Sequence, residues 1–233
     1  MTDEASEGLF LAPDHLAALA VTAVACVALP VAARRRPGAW TAWTARSLAI
    51  FLVAWLVADQ AYRLADGVYS IERSLPLELT NAVTLIAAVA LWTRTQLAFE
   101  LTYFWGLTAS LQAALTPGLR ADETFPGFYY WHYFAVHSGV VVAALLLAFG
   151  LGMTPRRGAV ARVFAITAAW AVLVGVANLV TGGNYMYLRE RPETSSLLDW
   201  LGPWPLYVLG AGLVGLVMFA LLDVPFRGRR AAS

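Results

Sequence analysis

Polar side chains able to handle protons lie in segments that otherwise consist of Ala, Val, Leu and aromatic residues. They are Asp59 and Gln60, then Glu78, Thr80 and Asn81, then Gln112, then His132, His137 and Ser138, and finally Asn178 and Thr181. If the segments are helices that alternate in direction, a rise of about 1.5 Å per residue places all these groups in one half of a bilayer. Polar groups at that depth cost free energy and usually face a bundle interior or a water-filled cavity. The pattern therefore predicts one polar layer shared by five helices.

This layer holds a possible nucleophile and a possible base. A threonine hydroxyl such as that of Thr80 attacks a carbonyl only when a neighbouring base removes its proton. His137 is the candidate base, with Glu78 or Asp59 orienting the imidazole as in a catalytic triad. These types together indicate acyl-transfer chemistry. Arg63 or Arg73 is expected to pair with Glu78, and Glu100, near the opposite end, with Arg94 or Arg162.

Other polar residues are candidates for holding a substrate. Side-chain amides near the layer can donate hydrogen bonds to an oxyanion that forms on a lipid carbonyl. The segments TGGNYMYL and LDWLGPWP are expected to cap the site, and Asp199 also to brace the start of the last helix by accepting from backbone N–H groups. The predicted substrate-binding residues are Glu78, Asn81, Gln112, Asn178, Asn184, Tyr185 and Asp199.

The sequence gives little reason to expect a metal or a cofactor. His132 and His137 are five residues apart, which is poor spacing for a shared helix face, so the zinc signal is weak. Cys26 is the single cysteine and excludes a multi-cysteine metal site and an intramolecular disulfide. We therefore predict neither a metal nor a cofactor.

The elements that must position these residues are membrane-spanning helices. The chain is 60% hydrophobic and 13% charged, against roughly 45–50% and about 25% in soluble proteins. A span needs about 20 mostly apolar residues. Such stretches occur at 13–33, 42–64, 76–94, 97–115, 132–151, 159–180 and 204–224. We predict one all-α transmembrane domain over residues 1–233, about seven spans, and a tight hairpin at Thr93–Gln96.

Arginine placement predicts the orientation of the bundle. One set of connections holds Arg34, Arg35, Arg36, Arg94, Arg156, Arg157, Arg227, Arg229 and Arg230, and the other holds Arg73, Arg120, Arg189 and Arg191. The first set is expected in the cytoplasm, with the N-terminus outside and the C-terminus inside. The polar layer then belongs to the outer leaflet. The net charge of +1 gives no field that would favour nucleic acid, and no soluble protein partner is implied.

Five segments carry a resemblance to a known family. They are LPLELT at 75–80, YFWGLTASLQAALTP at 103–117, VHSG at 136–139, NYMYL at 184–188 and SSLLDWLGPWP at 195–205. In these segments, over about two thirds of its length, the chain resembles the YwaF-type integral membrane proteins. The resemblance extends to a vertebrate transacylase that moves acyl chains between phospholipids inside the membrane. It implies a multi-pass protein of a cell membrane, which we expect to be a bacterial inner membrane, with a membrane lipid as substrate or ligand.

The chain departs from the family pattern at the third helix. That motif reads approximately LPLHLC, and its cysteine is thought to pair with a histidine on a later helix. Here Glu78 stands at the motif's histidine and Thr80 at its cysteine, while His137 matches the later histidine. A cysteine mechanism is thus excluded. The androgen-induced intramembrane hydrolases, similar in architecture, use a threonine and a histidine, so Thr80 and His137 are the implied catalytic pair.

Three functions remain open on the sequence. The first is an intramembrane lipid acyl hydrolase or transacylase. The second is a non-catalytic protein that binds or transports a lipid or small solute, favoured by the missing cysteine. True transport is disfavoured because no helix is obviously interrupted and the inner half of the bundle has few polar groups. The third is a structural subunit, which co-purification with a stoichiometric partner would reveal.

Overall fold

The computed structural model describes residues 12–120, 123–192 and 196–231, and the regular structure in these ranges is entirely helical. The helices are α1 Pro13–Arg35, α2 Ala39–Ala65, α3 Leu79–Thr93, α4, α5, α6 Ala159–Thr181 and α7 Leu206–Ala231. Helix α4 comprises Gln96–Trp105, a π-helical turn Gly106–Ser110 and a last turn Leu111–Leu115, whereas α5 comprises Phe128–Leu145 followed by a π-helical turn Leu146–Gly150. Short 3₁₀ turns occupy Tyr185–Tyr187 and Leu197–Leu201. The predicted all-α class is confirmed for the described chain.

Five of these helices are long and apolar enough to cross a bilayer. They are Pro13–Arg35, Ala39–Ala65, Phe128–Gly150, Ala159–Thr181 and Leu206–Gly228. Helix α3 has 15 residues and is therefore about 22 Å long, shorter than the roughly 30 Å hydrocarbon core. The π-helical turn within α4 is an interruption that the sequence did not reveal. The chain is therefore an apolar, multi-helix protein built for a membrane.

The predicted hairpin between the third and fourth helices is confirmed. Helix α3 ends at Thr93, Arg94 adopts a left-handed conformation with φ of 56°, and α4 starts at Gln96. The two helices then pack against each other.

The start of α3 differs from the prediction. The helix begins at Leu79 rather than at position 76, so Pro76 lies before its first turn. The segment before α3 forms local turns. Ser74 N donates to Ser70 O and Leu77 N donates to Leu75 O, both at 2.8 Å. Proline fits such turns as well as it fits a helix start, so the presence of Pro76 alone did not determine where α3 begins.

Helix α5 is the centre of the bundle. In its most apolar stretch 67% of residues are buried, against 11–22% in the other four long spans. Glycines allow its neighbours to approach closely: a Cβ on Gly139 would lie 2.7 Å from Leu52, and one on Gly106 would lie 3.0 Å from Val140. Helices α2 and α4 are therefore held against α5.

The bundle has two distinct ends. The described residues of the long connections, 66–78, 116–120, 123–127, 182–192 and 196–205, lie at one end, called here the loop end. The short connections with most of the arginines lie at the other, the arginine end. At the arginine end Glu100 is fully buried. Its carboxylate accepts from Arg156 Nε and Nη2, each at 2.9 Å, and from Arg162 Nε at 3.1 Å. Arg162 was predicted as a partner, whereas Arg156 was missed and Arg94 is not one of these partners.

Candidate functional site

The loop end is closed by residues 182–188, called here the cap, and Asn178 fixes this segment to α6. The Nδ2 of Asn178 donates to Tyr185 O at 3.0 Å, and Tyr185 N donates to Oδ1 of Asn178 at 2.8 Å. Both residues are buried. Both polar atoms of the amide are thus engaged with the backbone of the cap. Asn178 acts in this structure as a latch that holds the cap shut.

The cap is also joined to the connection between α2 and α3. The hydroxyl of Tyr185 donates to Ile71 O at 2.7 Å and accepts from Leu75 N at 2.9 Å. Gly183 passes so close to this connection that a Cβ there would lie 2.6 Å from the backbone oxygen of Glu72. Only glycine fits at that approach. The cap and the 66–78 connection therefore form one packed layer over the bundle.

Glu78 lies directly beneath the cap. It precedes the first residue of α3, is half-buried, and its Oε2 accepts from Met186 N at 3.0 Å. Arg63 and Arg73 were the predicted partners of Glu78, and neither is paired with it among the described residues. Arg63 bonds Asp59 instead. The glutamate therefore binds the cap backbone rather than a cation.

The cap backbone is strained where it meets Glu78. Met186 and Tyr187 both have positive φ, at 57° and 51°, in the left-handed region that non-glycine residues rarely occupy. Each costs on the order of 1 kcal/mol and persists only where the surroundings impose it. The Tyr187 oxygen accepts from the Tyr207 hydroxyl at 2.6 Å, which helps to hold this conformation. Such strain concentrates at functional sites more often than elsewhere.

Thr80 lies two residues beyond Glu78, in the first turn of α3. It is half-buried, and its carbonyl accepts from Thr84 Oγ1 at 2.7 Å. In the described chain its own hydroxyl has no hydrogen-bond partner. The hydroxyl therefore has no competing role inside the helix.

His137 is buried in the middle of α5, with 6% of its surface exposed. Its ring centroid lies 4.4 Å from that of Tyr133, and its Nδ1 is buried with no hydrogen-bond partner among the described residues. Helices α3 and α5 pack against each other, so Thr80 and His137 belong to neighbouring helices. No hydrogen bond joins the two side chains in the described ranges.

The remaining predicted residues have varied surroundings. Asn81 is half-buried on α3, and Gln112 is exposed on the last turn of α4. Asn184 supports the cap from within, since its Oδ1 accepts from Arg189 N at 3.0 Å and its Nδ2 donates to Glu190 O at 2.9 Å. The structure thus brings Glu78, Asn178 and Tyr185 together through the cap, and leaves Gln112 apart.

Asp199 has a different local role from the one expected. It is exposed and accepts from Ser196 N at 2.8 Å, which places its carboxylate at the start of the 3₁₀ turn Leu197–Leu201 rather than at the start of α7. It also lies 3.4 Å from Nη1 of Arg191. A carboxylate prefers the free N–H groups of whichever helical turn begins nearest to it.

A second polar group, which sequence reasoning did not assemble, joins α2 to α5. Buried Asp59 accepts from Arg63 Nε at 2.9 and 3.0 Å and lies 4.0 Å from Nε2 of His132. Phe128 stacks on His132 with centroids 6.2 Å apart. Asp59 was expected beside His137, whereas it faces His132. The spacing of Asp59 and Arg63, four residues along one helix, was the signal for their pairing.

Comparison with known proteins identifies the family. A model of the TMEM164 family matches residues 10–223, and the chain belongs to this family of membrane proteins. No curated protein and no solved structure matches the chain. In the described chain no group of three His, Cys, Asp or Glu side chains is placed to hold a metal ion.

Proposed function

We propose that this member of the TMEM164 family is an intramembrane enzyme that hydrolyses or transfers an acyl ester of a membrane lipid, with Thr80 as nucleophile and His137 as base. In this proposal the chain crosses the membrane seven times, with the N-terminus outside and the loop end in the outer leaflet of a bacterial inner membrane. The observation that carries the proposal is the buried, unpartnered Nδ1 of His137.

An unpartnered nitrogen at this depth is a cost that packing alone does not explain. A buried polar atom without a hydrogen bond destabilises the fold by about 1–3 kcal/mol. Such atoms are uncommon in native proteins and often mark a catalytic role or a missing ligand. Nδ1 of His132, on the same helix, is a second one, but His137 is the histidine that the family motif matches. His137 lies on the most buried helix of the bundle, where an apolar residue would fit the surroundings better. A proton acceptor in that position supports catalysis.

The chemistry that follows needs only the side chains present and a lipid. The Thr80 oxygen attacks the ester carbonyl carbon while its proton passes to the imidazole of His137. The carbon–oxygen bond to the lysolipid then breaks, and the imidazolium returns the proton to the departing oxygen. The acyl chain is left on Thr80. Attack by water on this ester gives a free fatty acid, and attack by the hydroxyl of a second lysolipid gives acyl transfer.

The cap supports the same proposal because it limits access of water from the loop end. Its bonds to Asn178, Glu78 and the 66–78 connection close the bundle above the first turn of α3. Exclusion of water strengthens the electrostatic contacts available to an oxyanion. Asn81, half-buried one residue beyond Thr80, is the nearest amide in sequence for that contact. Reaching the ester then requires lateral access from the lipid.

A second candidate is a non-catalytic protein that binds a lipid or a small solute. The observation that favours it is that the side-chain polar atoms of Asn178, Asn184 and Tyr185 bond backbone groups of the cap and the adjoining connections. Fewer polar groups are then left to stabilise a transition state. Threonine is also a weaker nucleophile than the cysteine of the family motif. On this account His137 would contact a ligand polar group rather than move a proton.

The test is lipid mass spectrometry on purified protein reconstituted in liposomes of defined phospholipid and lysophospholipid. The variants are Thr80→Val, which removes only the hydroxyl, Thr80→Ser, which keeps it, and His137→Gln. Thr84→Val is the matched control, because its hydroxyl bonds the α3 backbone one turn away. We expect acyl release or transfer by wild type and the control, partial activity with serine, and none with Thr80→Val or His137→Gln.

Two results would contradict the proposal. Full turnover by Thr80→Val would remove Thr80 as nucleophile. No change in any lipid with the wild type would favour the binding role, in which case co-purified lipid lost from His137→Gln is the expected finding. Uptake of solute into the same liposomes would indicate transport instead.

A further inference from the structure

An apolar groove runs along the membrane-facing surface between α2 and α3. Its volume is about 760 Å³, inside the range of about 300–1,000 Å³ that ligand sites occupy. The lining side chains are Ala49, Ile50, Val53, Ala54, Val57, Ala58, Leu85, Ala88, Val89, Trp92 and Thr93. Alanines on both helices create the depression, whereas Val57 and Val89 form its exposed sides. The groove faces the hydrocarbon, and along most of its length its lining suits only an apolar group such as an acyl chain.

A cation lies at one end of this groove. Arg46, one turn before Ala49 on α2, holds its guanidinium carbon 5.8 Å from the ring centre of Trp43 and 5.5 Å from that of Trp92. Trp92 also lines the groove. Among the described residues no carboxylate lies within 4.0 Å of Arg46. Trp43 and Trp92 thus hold Arg46 at the mouth of the groove, and no carboxylate of the described residues pairs with its positive charge.

The dimensions match one leaflet of a bilayer. The lining runs from Ala49 to Ala58 on α2 and from Leu85 to Thr93 on α3, which are about 14 and 12 Å at 1.5 Å per residue. Half of the hydrocarbon core is about 15 Å. Tryptophan prefers the interface between headgroups and acyl chains, so Trp43 and Trp92 mark the depth at which a lipid headgroup begins. Arg46 then lies at the level of a phosphate.

We propose that this groove is a binding site for an anionic phospholipid, distinct from the proposed catalytic site. The phosphate binds Arg46, and one acyl chain lies in the groove between α2 and α3 toward the middle of the bilayer. Arginine suits this role because its planar guanidinium forms paired hydrogen bonds with phosphate oxygens. Thr80 lies at the opposite end of α3, so the site does not depend on acyl-transfer activity.

Charge argues against a second copy of the chain as the occupant. Two copies in one membrane share an orientation, so a two-fold interface centred on the groove would bring two Arg46 side chains to the same depth. No carboxylate of the described groove lining would separate them. Like charges at the edge of the hydrocarbon disfavour such an interface, whereas an anionic lipid neutralises one arginine directly.

Native mass spectrometry of the full-length protein in detergent tests the proposal, with phosphatidylglycerol and phosphatidylcholine of identical acyl chains added in turn. We expect Arg46→Gln to weaken binding of the first phosphatidylglycerol about tenfold, the loss of one charge-assisted contact. Arg46→Lys should weaken it less, because lysine keeps the charge but loses the paired hydrogen bonds. Arg34→Gln removes the same charge at the exposed end of α1 and is the control. Ala54→Trp should fill the groove and reduce binding of both lipids, whereas Val172→Trp on exposed α6 should not.

Several results would overturn the proposal. They are equal effects of Arg46→Gln and Arg34→Gln, equal affinity of wild type for the two lipids, or full lipid binding by Ala54→Trp. A dimer signal in wild type that Ala54→Trp abolishes while lipid binding persists would identify a second copy as the occupant. Arg46→Gln alters an exposed side chain, so its effect does not depend on the folding of Ala54→Trp.

Discussion

The latch at Asn178 gives the sharpest prediction about the cap. Asn178→Ala removes both the donor to Tyr185 O and the acceptor of Tyr185 N. The alanine side chain ends at Cβ and can make neither bond. The Tyr185 hydroxyl keeps its own contacts with Ile71 and Leu75. The variant therefore loosens the cap at one point and leaves a second attachment in place.

The magnitude follows from two hydrogen bonds in buried surroundings. Each contributes about 1 kcal/mol net, and a buried group left without a partner costs about 1–3 kcal/mol. Water that reaches the freed backbone groups lowers this cost. We therefore expect a loss of about 2–4 kcal/mol in the free energy of cap opening. At about 1.4 kcal/mol per factor of ten, the open fraction rises by roughly 30-fold to 700-fold.

Hydrogen exchange followed by mass spectrometry measures this opening in purified protein. Peptides that cover residues 183–190 should exchange faster in Asn178→Ala by roughly that factor, while peptides of α5 stay protected. Asn81→Ala is the matched control, because Asn81 is half-buried and has no hydrogen bond to the cap in the described chain. Unchanged exchange at Tyr185 and Met186 would refute the latch. Equal effects of both asparagine variants would show a general loss of stability instead.

Two further substitutions test the packing of the two ends. Glu100→Gln should lower the unfolding free energy by about 2–3 kcal/mol. Breaking a fully buried pair costs about 3–5 kcal/mol, and the loss here is smaller because Arg156 and Arg162 are partly exposed. Arg227→Gln removes a mostly exposed arginine that lies 3.5 Å from Asp223 and should cost under about 1 kcal/mol. Equal losses for the two variants in denaturant titrations would contradict the stronger pairing of Glu100. Gly183→Ala should cost about 1–3 kcal/mol because its Cβ meets the backbone oxygen of Glu72. Gly175→Ala on α6 meets nothing within 4 Å and should be neutral or stabilising, so the same sign for both glycines would refute the close approach.

The helices were predictable because each is encoded by a long apolar run. The predicted spans 13–33 and 159–180 match Pro13–Arg35 and Ala159–Thr181 closely. A long apolar run in a membrane forms a helix because the helix satisfies all its backbone hydrogen bonds internally. The hairpin at Arg94 was predictable from length alone, because a helix of about 40 residues exceeds a bilayer. The π-helical turns of α4 and α5 were not, since such turns are rare and no residue pattern in the sequence marks them.

The hydrogen bonds of the candidate site residues were not predictable from the sequence. Sequence placed Asn178 and Tyr185 at the loop end but assigned them to a substrate, whereas the structure pairs them with each other. Asp59 was matched with the wrong histidine, because depth along a helix was known and the facing side was not. Arg156 was missed as a partner of Glu100 because a loop position is set by tertiary packing, not by periodicity. Side-chain partners between helices are decided by helix rotation, which short polar motifs do not fix.

The most direct test of the proposed chemistry is a search for the covalent acyl intermediate. Purified protein would be incubated with phospholipid, quenched in acid, and digested for mass spectrometry of the peptide that contains Thr80. The account predicts an ester-linked acyl chain on Thr80 in wild type, greater accumulation when lysolipid acceptor is withheld, and none in Thr80→Val or His137→Gln. An acyl chain on another residue, or lipid turnover with no adduct on Thr80 under any quench, would contradict Thr80 as the nucleophile.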